Sequence, residues 1–342
     1  MYTVFDYIEY YKDTLVEEVQ INEVDNIIFS ILVYLPIPSF KKKLKFNEFI
    51  SYAKKYKNTP TSSSMAVISF ELLEKLTNSK RYSSFYISNF VNLKNEILQF
   101  GSCKYSYKNT CIISYKGTDG SSIGWYENLR LSYKYMTTTQ EYALNYLNNV
   151  ITSKDKIIYI CGHSKGGNLS LVSALETKNS IFKRIKKVYN FDGPGVLKSV
   201  FESEKYNARK SKFINVLPTG SVVGSLLYND NYFVCESTKH GINEHYLNSL
   251  KVFGTKLVKG KLSTVSKKVH ISTTTELSKL ENSEIEKSVE SLIEILGKKT
   301  TEDMNFTLND IKDIIKNMKN IKLETKKSLI KMLTTLMSSI TK

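Results

Sequence analysis

The chain has 342 residues, of which 41% are hydrophobic and 12% aromatic, so it can bury a full core and is not a disordered polypeptide. Its formal net charge of +16 would suit an anionic membrane surface or nucleic acid. The lysines are scattered, however, and no basic run of five or six residues marks a nucleic-acid-binding tail. Nucleic acid is therefore not expected as a partner, and peripheral contact with an anionic membrane stays open.

The cysteines and the apolar segments indicate the compartment. The cysteines show neither C-x-x-C pairing nor a histidine at zinc-finger spacing, which predicts reduced core residues and no metal site. The start, MYTVFDYIEYYKD, lacks the order of a signal peptide, and the apolar stretch IIFSILVYL is too short to cross a bilayer. We expect a cytoplasmic bacterial protein that needs no metal or organic cofactor.

Helical and strand-like patterns alternate along the chain. Apolar residues at helical spacing predict helices over 23–35, 46–56, 64–76, 123–135, 140–151 and 196–206, and another from 168. Strand-like runs occupy 99–107, 110–116, 157–161, 187–191, 213–217 and 232–236, with 108–109 as a hairpin turn. This order predicts an α/β-hydrolase-like three-layer fold with a mainly parallel sheet.

The character of the sequence changes near residue 255. Beyond it the chain is rich in Lys, Ser and Thr, with amphipathic stretches such as IEKSVESLIEIL and NDIKDIIKNMKNIK. We predict one domain over 1–254, whose first 75 residues form a helical part, and a helical appendage over 255–342.

The segment IIYICGHSKGGNLSLVSALE, residues 157–176, passes from a buried strand directly into a helix. Glycines at 162, 166 and 167 allow the two elements to approach closely, which places Ser164 at the apex of the turn. This is the G-x-S-x-G nucleophile elbow, in which the serine oxygen is exposed above the sheet. The next backbone N–H, that of Lys165, points at the same space and can stabilise an oxyanion.

An activated serine needs a base, and the chain has four histidines. His163 precedes the serine on the strand and is predicted to be structural, and His270 lies in the appendage. His240 and His245 both follow the last predicted strand, where the histidine of a Ser, acid, His order belongs. Spacing alone does not decide whether His240 or His245 is the base.

Several segments between residues 22 and 252 carry a family resemblance. They are NEVDNIIFSILVYL, ISYKGTDGSSIGWYENL, GHSKGGNLSLVSA, VYNFDGPGV, VLPTGSVVGSLL and GINEHYLNSLKV. With them the chain resembles the bacterial Mbeg-like group of α/β-hydrolase-like proteins, which is distantly similar to class 3 lipases. The resemblance implies the α/β-hydrolase fold and an esterase-like or lipase-like reaction, and it favours His245 over His240. It also implies that Gly117 and Thr118 help to form the oxyanion hole.

The acid of the triad departs from the lipase pattern. Class 3 lipases carry an aspartate after the strand equivalent to 213–217, but here that place reads PTGSVVG, with Ser221 where the carboxylate would be. Asp192 is the best substitute, because it follows the preceding predicted strand and strand ends converge at one edge of a parallel sheet. Its alternative role is to satisfy the turn amides of NFDGPG. Asp230 and Glu236 are weaker candidates, and a Ser-His dyad without an acid is a further alternative.

These observations leave two main hypotheses of function. The first is a serine hydrolase that cleaves carboxylic esters, including lipid or phospholipid acyl esters, through an acyl-enzyme on Ser164. The second is a catalytically inactive binding protein that keeps the hydrolase scaffold, since fold does not imply chemistry. Binding of nucleic acid by the appendage is a third and weaker hypothesis, because no groove-reading motif is present.

Overall fold

The structure is a computed structural model that describes residues 2–61, 63–297, 316, 321–328 and 330. The predicted amphipathic stretch NDIKDIIKNMKNIK therefore lies largely outside the described residues. The helices are α1 (Val4–Tyr11), α2 (Glu23–Leu32), α3 (Phe46–Lys54), α4 (Ser64–Lys75), α5 (Lys80–Ser83), α6 (Ser122–Arg130), α7 (Thr138–Val150), α8 (Lys165–Glu176), α9 (Asn179–Phe182), α10 (Lys198–Phe201), α11 (Glu204–Arg209), α12 (Thr264–Ser278) and α13 (Asn282–Gly297). Short 3-10 helices span Lys210–Lys212, Val223–Ser225, Gly241–His245 and Leu247–Ser249. Of the helices in these ranges, none combines the length and the apolar character needed to cross a membrane.

Eight strands form the central sheet and lie side by side in chain order. The strands are β1 (Leu44–Lys45), β2 (Tyr86–Lys94), β3 (Gln99–Tyr107), β4 (Thr110–Tyr115), β5 (Ile157–His163), β6 (Ile185–Phe191), β7 (Phe213–Pro218) and β8 (Tyr232–Cys235), and a separate two-stranded sheet contains β9 (Val252–Phe253) and β10 (Lys256–Leu257). Strands β1 to β4 pair antiparallel, and β4 to β8 pair parallel. The predicted mainly parallel sheet and the hairpin between β3 and β4 are confirmed.

Helices cover both faces of this sheet, as the alternation along β5 shows. Ile158 and Ile160 point into a core shared with α7 and α8, whereas Tyr159 and Cys161 point into a core shared with α1 to α4. Right-handed crossovers between neighbouring parallel strands place their helices on one face, and the N-terminal helices fill the other. The fold is the predicted three-layer α/β-hydrolase-like fold, and its N-terminal helices form one complete layer.

Two predicted helices are shorter than expected. The helix predicted over 196–206 is divided into α10 and α11, because the Ser203 side chain accepts a hydrogen bond from the Tyr206 N–H and starts a new helix. The helix predicted over 123–135 ends at Arg130. In both regions the apolar spacing continues past the point where the helix stops, so spacing alone could not locate the end.

Helix α13 packs against α6, the helix that follows the loop containing Gly117 and Thr118. Ile285 and Val289 share an apolar cluster with Tyr126 of α6. At the edge of this cluster, Arg130 donates two hydrogen bonds to the Glu290 carboxylate, at 2.7 and 2.9 Å. The C-terminal region is thus joined to the hydrolase-like core next to the predicted oxyanion loop.

Candidate active site

Ser164 lies at a strained turn between β5 and α8. Its φ is 57° and its ψ is −129°, a conformation that costs a non-glycine residue about 1–3 kcal/mol. The turn closes so tightly that a Cβ at Gly162 would lie 2.2 Å from the Gly166 carbonyl oxygen. Ser164 remains half-buried at the carboxyl end of β5. The sharp strand–turn–helix unit that the glycine spacing predicts is therefore present, with the serine at its apex.

His245 and Asp192 meet beside this turn. The His245 Nδ1 lies 2.6 Å from Asp192 Oδ2, and the aspartate side chain is only 4% exposed. The centroid of the His245 ring lies 4.5 Å from that of His163, the residue before the serine. No hydrogen bond joins the Ser164 hydroxyl to the His245 ring among the described residues. Such contacts are often long in the absence of substrate and shorten in the substrate complex.

The second carboxylate oxygen of Asp192 is also occupied. Ser221 donates its hydroxyl to Asp192 Oδ1, and the Gly224 N–H donates to the same oxygen at 3.0 Å. The turn amide in NFDGPG is instead satisfied by Asn190, whose Oδ1 accepts from the Gly193 N–H at 3.0 Å. Ser221, which replaces the lipase aspartate in sequence, therefore orients the carboxylate that bonds the histidine.

The other candidate residues have partners elsewhere. His270 Nδ1 lies 3.0 Å from the Ser225 carbonyl oxygen, and Asp230 accepts from Tyr206 at 3.0 Å. Glu236 pairs with Lys251 at 2.8 Å. His240 is exposed and has no hydrogen bond to Ser164 or Asp192 within the described ranges. The same ranges contain no group of three His, Cys, Asp or Glu side chains arranged to hold a metal ion.

A buried chain of hydrogen bonds connects the predicted oxyanion loop, at Gly117, to His245. The Gly117 N–H donates to Tyr34 Oη at 2.9 Å, and Tyr34 Oη lies 2.9 Å from His163 Nδ1. His163 Nε2 lies 2.8 Å from the His245 carbonyl oxygen. Because a carbonyl only accepts, Nε2 carries the proton and Tyr34 donates to Nδ1. Burial lowers the pKa of His163 well below its usual range, so the ring stays neutral, as this chain of bonds requires.

Because the His163 ring is neutral in the folded protein, we expect the free energy of unfolding to fall at acid pH. In the unfolded chain this ring takes up a proton near pH 6.5, whereas the folded protein binds none there, so the free energy of unfolding falls as the pH drops. The expected slope approaches about 1.4 kcal/mol per pH unit below about pH 6.5. Urea unfolding of the wild type and His163→Gln should show their stability difference shrinking toward acid. Parallel curves for wild type and His163→Gln would contradict the prediction.

In the predicted oxyanion loop, the donors that have no acceptor among the described residues belong to Thr118. The Gly117 N–H is engaged by Tyr34, and the Gly117 carbonyl accepts from Gln99 Nε2 at 3.2 Å. The N–H of a trans peptide points opposite to its carbonyl, so the Thr118 N–H points away from Gln99. Asn128 Nδ2 donates to Thr118 Oγ1 at 2.9 Å, which leaves the threonine hydroxyl hydrogen available. The loop therefore offers an N–H and an O–H from one residue.

Lys165 contributes to the site in two ways. Its backbone N–H begins α8 and has no acceptor among the described residues, whereas the Gly167 and Asn168 N–H groups donate to the Ser164 carbonyl. Its buried Nζ lies 2.8 Å from both the main-chain oxygen and Oε1 of Gln99. An ammonium only donates, so it fixes the Gln99 amide with Oε1 toward Lys165 and Nε2 toward Gly117. Burial lowers the pKa of this lysine to about 8.

The family model described as Mbeg1-like matches residues 76–294 of this sequence. The chain belongs to the Mbeg1-like family. The match covers more than half of the chain and includes Ser164, Asp192 and His245, which confirms the resemblance drawn from the sequence. Comparison with curated proteins finds no relative of this Mbeg1-like chain.

A crystal structure of M37 lipase is similar at 14% identity with a TM-score of 0.35. The similarity covers 58% of the Mbeg1-like chain and 68% of the lipase. A similarity this weak informs neither fold nor function.

Sequence reasoning missed several residues of this site. Tyr34 lies in NEVDNIIFSILVYL, one of the segments that carries the resemblance, so a role near the site could have been sought there. The sequence marks Ser221 only as the place where a lipase carboxylate is absent, and its hydroxyl bond to Asp192 appears only in the folded chain. Asn128 lies ten positions after its partner Thr118 in ISYKGTDGSSIGWYENL, another of those segments, whereas Gln99 lies outside all of them and its partner Gly117 is on a different element.

Proposed function

We propose that this protein is a serine hydrolase of carboxylic esters, with Ser164 as nucleophile, His245 as base and Asp192 as acid. The observation that carries the proposal is the 2.6 Å contact between His245 Nδ1 and Asp192 Oδ2 beside the strained serine. A carboxylate on Nδ1 holds the proton there and leaves Nε2 free to accept the proton of the serine.

The reaction proceeds in two halves. Nε2 of His245 takes the Ser164 proton as Oγ attacks the ester carbonyl carbon, and the N–H groups of Lys165 and Thr118 with the Thr118 hydroxyl hold the oxyanion. The intermediate then collapses, and the leaving alcohol takes the proton from Nε2. A water molecule, deprotonated by the same nitrogen, attacks the acyl-enzyme, and the second tetrahedral intermediate collapses to release the carboxylic acid as the Ser164 oxygen takes the proton back from Nε2.

The substrate class is a carboxylic ester, and we include lipid and phospholipid acyl esters in it. The net charge of +16 supports the proposal that the protein meets such lipids at an anionic membrane interface.

Hydrolysis of p-nitrophenyl esters, from acetate to dodecanoate, tests the proposal. We expect saturable release of p-nitrophenol, and we expect added methanol to divide the product between acid and methyl ester. Two butyrate esters with different leaving groups form the same butyryl-enzyme. If the reaction passes through this intermediate, the ratio of butyric acid to methyl butyrate must be the same for both esters. A folded wild-type protein that releases no p-nitrophenol above buffer would instead indicate the inactive binding scaffold.

Loss of the Gln99 side-chain amide is expected to lower kcat specifically, because this amide donates to the Gly117 carbonyl and orients the Gly117–Thr118 peptide. Gln99→Met should lower kcat about 10- to 100-fold, less than the loss of a whole oxyanion donor, with little change in KM. Steady-state kinetics on p-nitrophenyl butyrate measure both constants. Asn92→Leu is the matched control, because Asn92 accepts from Lys116 Nζ at 3.1 Å without touching Gly117. Equal losses in the two variants, or a change in KM alone, would contradict the assigned role.

A further inference from the structure

An open cleft of about 610 Å³ lies at the carboxyl ends of β7 and β8. Thr219, which follows β7, lines the cleft together with Glu236 and Ser237, which follow β8. Ligands of open α/β sheets bind outside the carboxyl ends of the strands. The volume falls within the range of small-molecule sites. Both position and size therefore fit a ligand site.

Three lysines from two segments line this cleft: Lys239, Lys259 and Lys261. None of their ammonium groups has an ion-pair or hydrogen-bond partner in the part of the chain that the structure describes. The Lys239 Nζ lies 5.6 Å from the centroid of the Tyr246 ring, a cation–π contact that holds this lysine near the His245 segment. The cleft thus gathers positive charge that the protein itself does not neutralise.

The two acidic residues of the cleft, Glu236 and Glu244, offset this charge only in part. Glu236 pairs with Lys251 at 2.8 Å. Glu244 Oε2 accepts the Gly220 N–H at 2.7 Å, and burial raises the pKa of this carboxyl. Among the described residues, three unpaired ammonium groups therefore face one carboxylate, that of Glu244, which has no cationic partner, and the cleft keeps a net positive charge.

We propose that this cleft binds a phosphate-bearing anion. Compact ammonium groups are established phosphate ligands, and three of them can surround a tetrahedral anion with several charged oxygens. The His240 ring and the Ser237 hydroxyl also line the cleft as hydrogen-bond donors, and the Ser237 oxygen accepts from the Lys239 N–H at 3.0 Å. The bound anion would border the His245 segment, because Glu244 lines the cleft. The inference rests on the cleft alone and does not require esterase activity.

Calorimetric titration with inorganic phosphate and with glycerol 3-phosphate, at constant ionic strength, tests the proposal. The wild type should bind at one saturable site, and the triple variant Lys239→Gln, Lys259→Gln, Lys261→Gln should bind at least about tenfold more weakly. The control is Lys41→Gln, Lys42→Gln, Lys43→Gln, which removes the same charge from an exposed run outside the cleft. It should keep wild-type affinity. Circular dichroism verifies the fold of each variant.

Vesicle flotation separates the two sources of a phosphate group. Binding to phosphatidylglycerol vesicles that is lost only in the cleft variant would identify a lipid head group, and binding of the soluble anions alone would identify a free phosphate compound. Phosphatidylcholine vesicles control for lipid without net charge. The proposal fails if the wild type binds none of the probes saturably. It also fails if the cleft and control variants lose binding equally, because the attraction would then come from net charge.

Discussion

Ser164→Ala is expected to lower kcat/KM for p-nitrophenyl butyrate by at least about 10⁴-fold and by up to the order of 10⁶-fold, the size of nucleophile losses in serine hydrolases. The reason is chemical, since alanine offers no oxygen to form the acyl-enzyme. The fold should tolerate the change, because no hydrogen bond of the Ser164 hydroxyl is found among the described residues and alanine keeps the same Cβ at this positive φ, so the backbone strain is unchanged.

Ser173→Ala provides the matched control for this substitution. Ser173 lies on the same helix, α8, and donates its hydroxyl to the Ser170 carbonyl at 3.3 Å, away from the turn. It should retain activity within a few-fold of the wild type. Retention of more than a hundredth of the activity in Ser164→Ala would instead place the reaction on another residue.

Asp192→Asn is expected to lower kcat/KM about 10⁴-fold while the protein stays folded. Ser221 and the Gly224 N–H both donate to Oδ1, so the remaining oxygen of the asparagine turns toward them. Its Nδ2 then faces His245 and donates to Nδ1. The imidazole proton moves to Nε2, which can no longer accept the proton of Ser164.

Kinetics on p-nitrophenyl butyrate check this prediction, with Asp230→Asn as the matched control. Asp230 accepts from Tyr206 at 3.0 Å and pairs with Lys210 at 2.9 Å, so its change should leave kcat/KM near the wild-type value. An Asp192→Asn protein with a tenth or more of the wild-type activity would show that the carboxylate does not set the tautomer, and would favour a Ser-His dyad.

The elbow and the parallel part of the sheet could be predicted because their signals are local. The glycine spacing around Ser164 indicates a tight turn, and short apolar runs indicate buried strands. Strand β2 was missed for an equally local reason. Its pairing with β3 shifts register between Ser88 and Val91, and Asn89 has a φ of 50°, so the regular alternation of a strand is broken there.

The hydrogen-bond partners in the site could not be predicted, because they depend on contacts between distant segments. Tyr34 and His163 are 129 positions apart, and only the layer of N-terminal helices brings them together. Spacing alone likewise leaves His240 and His245 open, and from the sequence only the family resemblance favours His245. Both follow β8 closely, and only the folded chain shows that the His245 ring reaches Asp192.

The central claim is that Ser164 is an activated nucleophile, and labelling with a fluorophosphonate tests it most directly. We expect one adduct by intact mass, mapped to the peptide that contains Ser164. The adduct should be absent in Ser164→Ala and should form at least about a hundredfold more slowly in His245→Ala, because without the base the hydroxyl stays protonated. A folded wild-type protein that forms no adduct, or forms one on a different residue, would contradict the account.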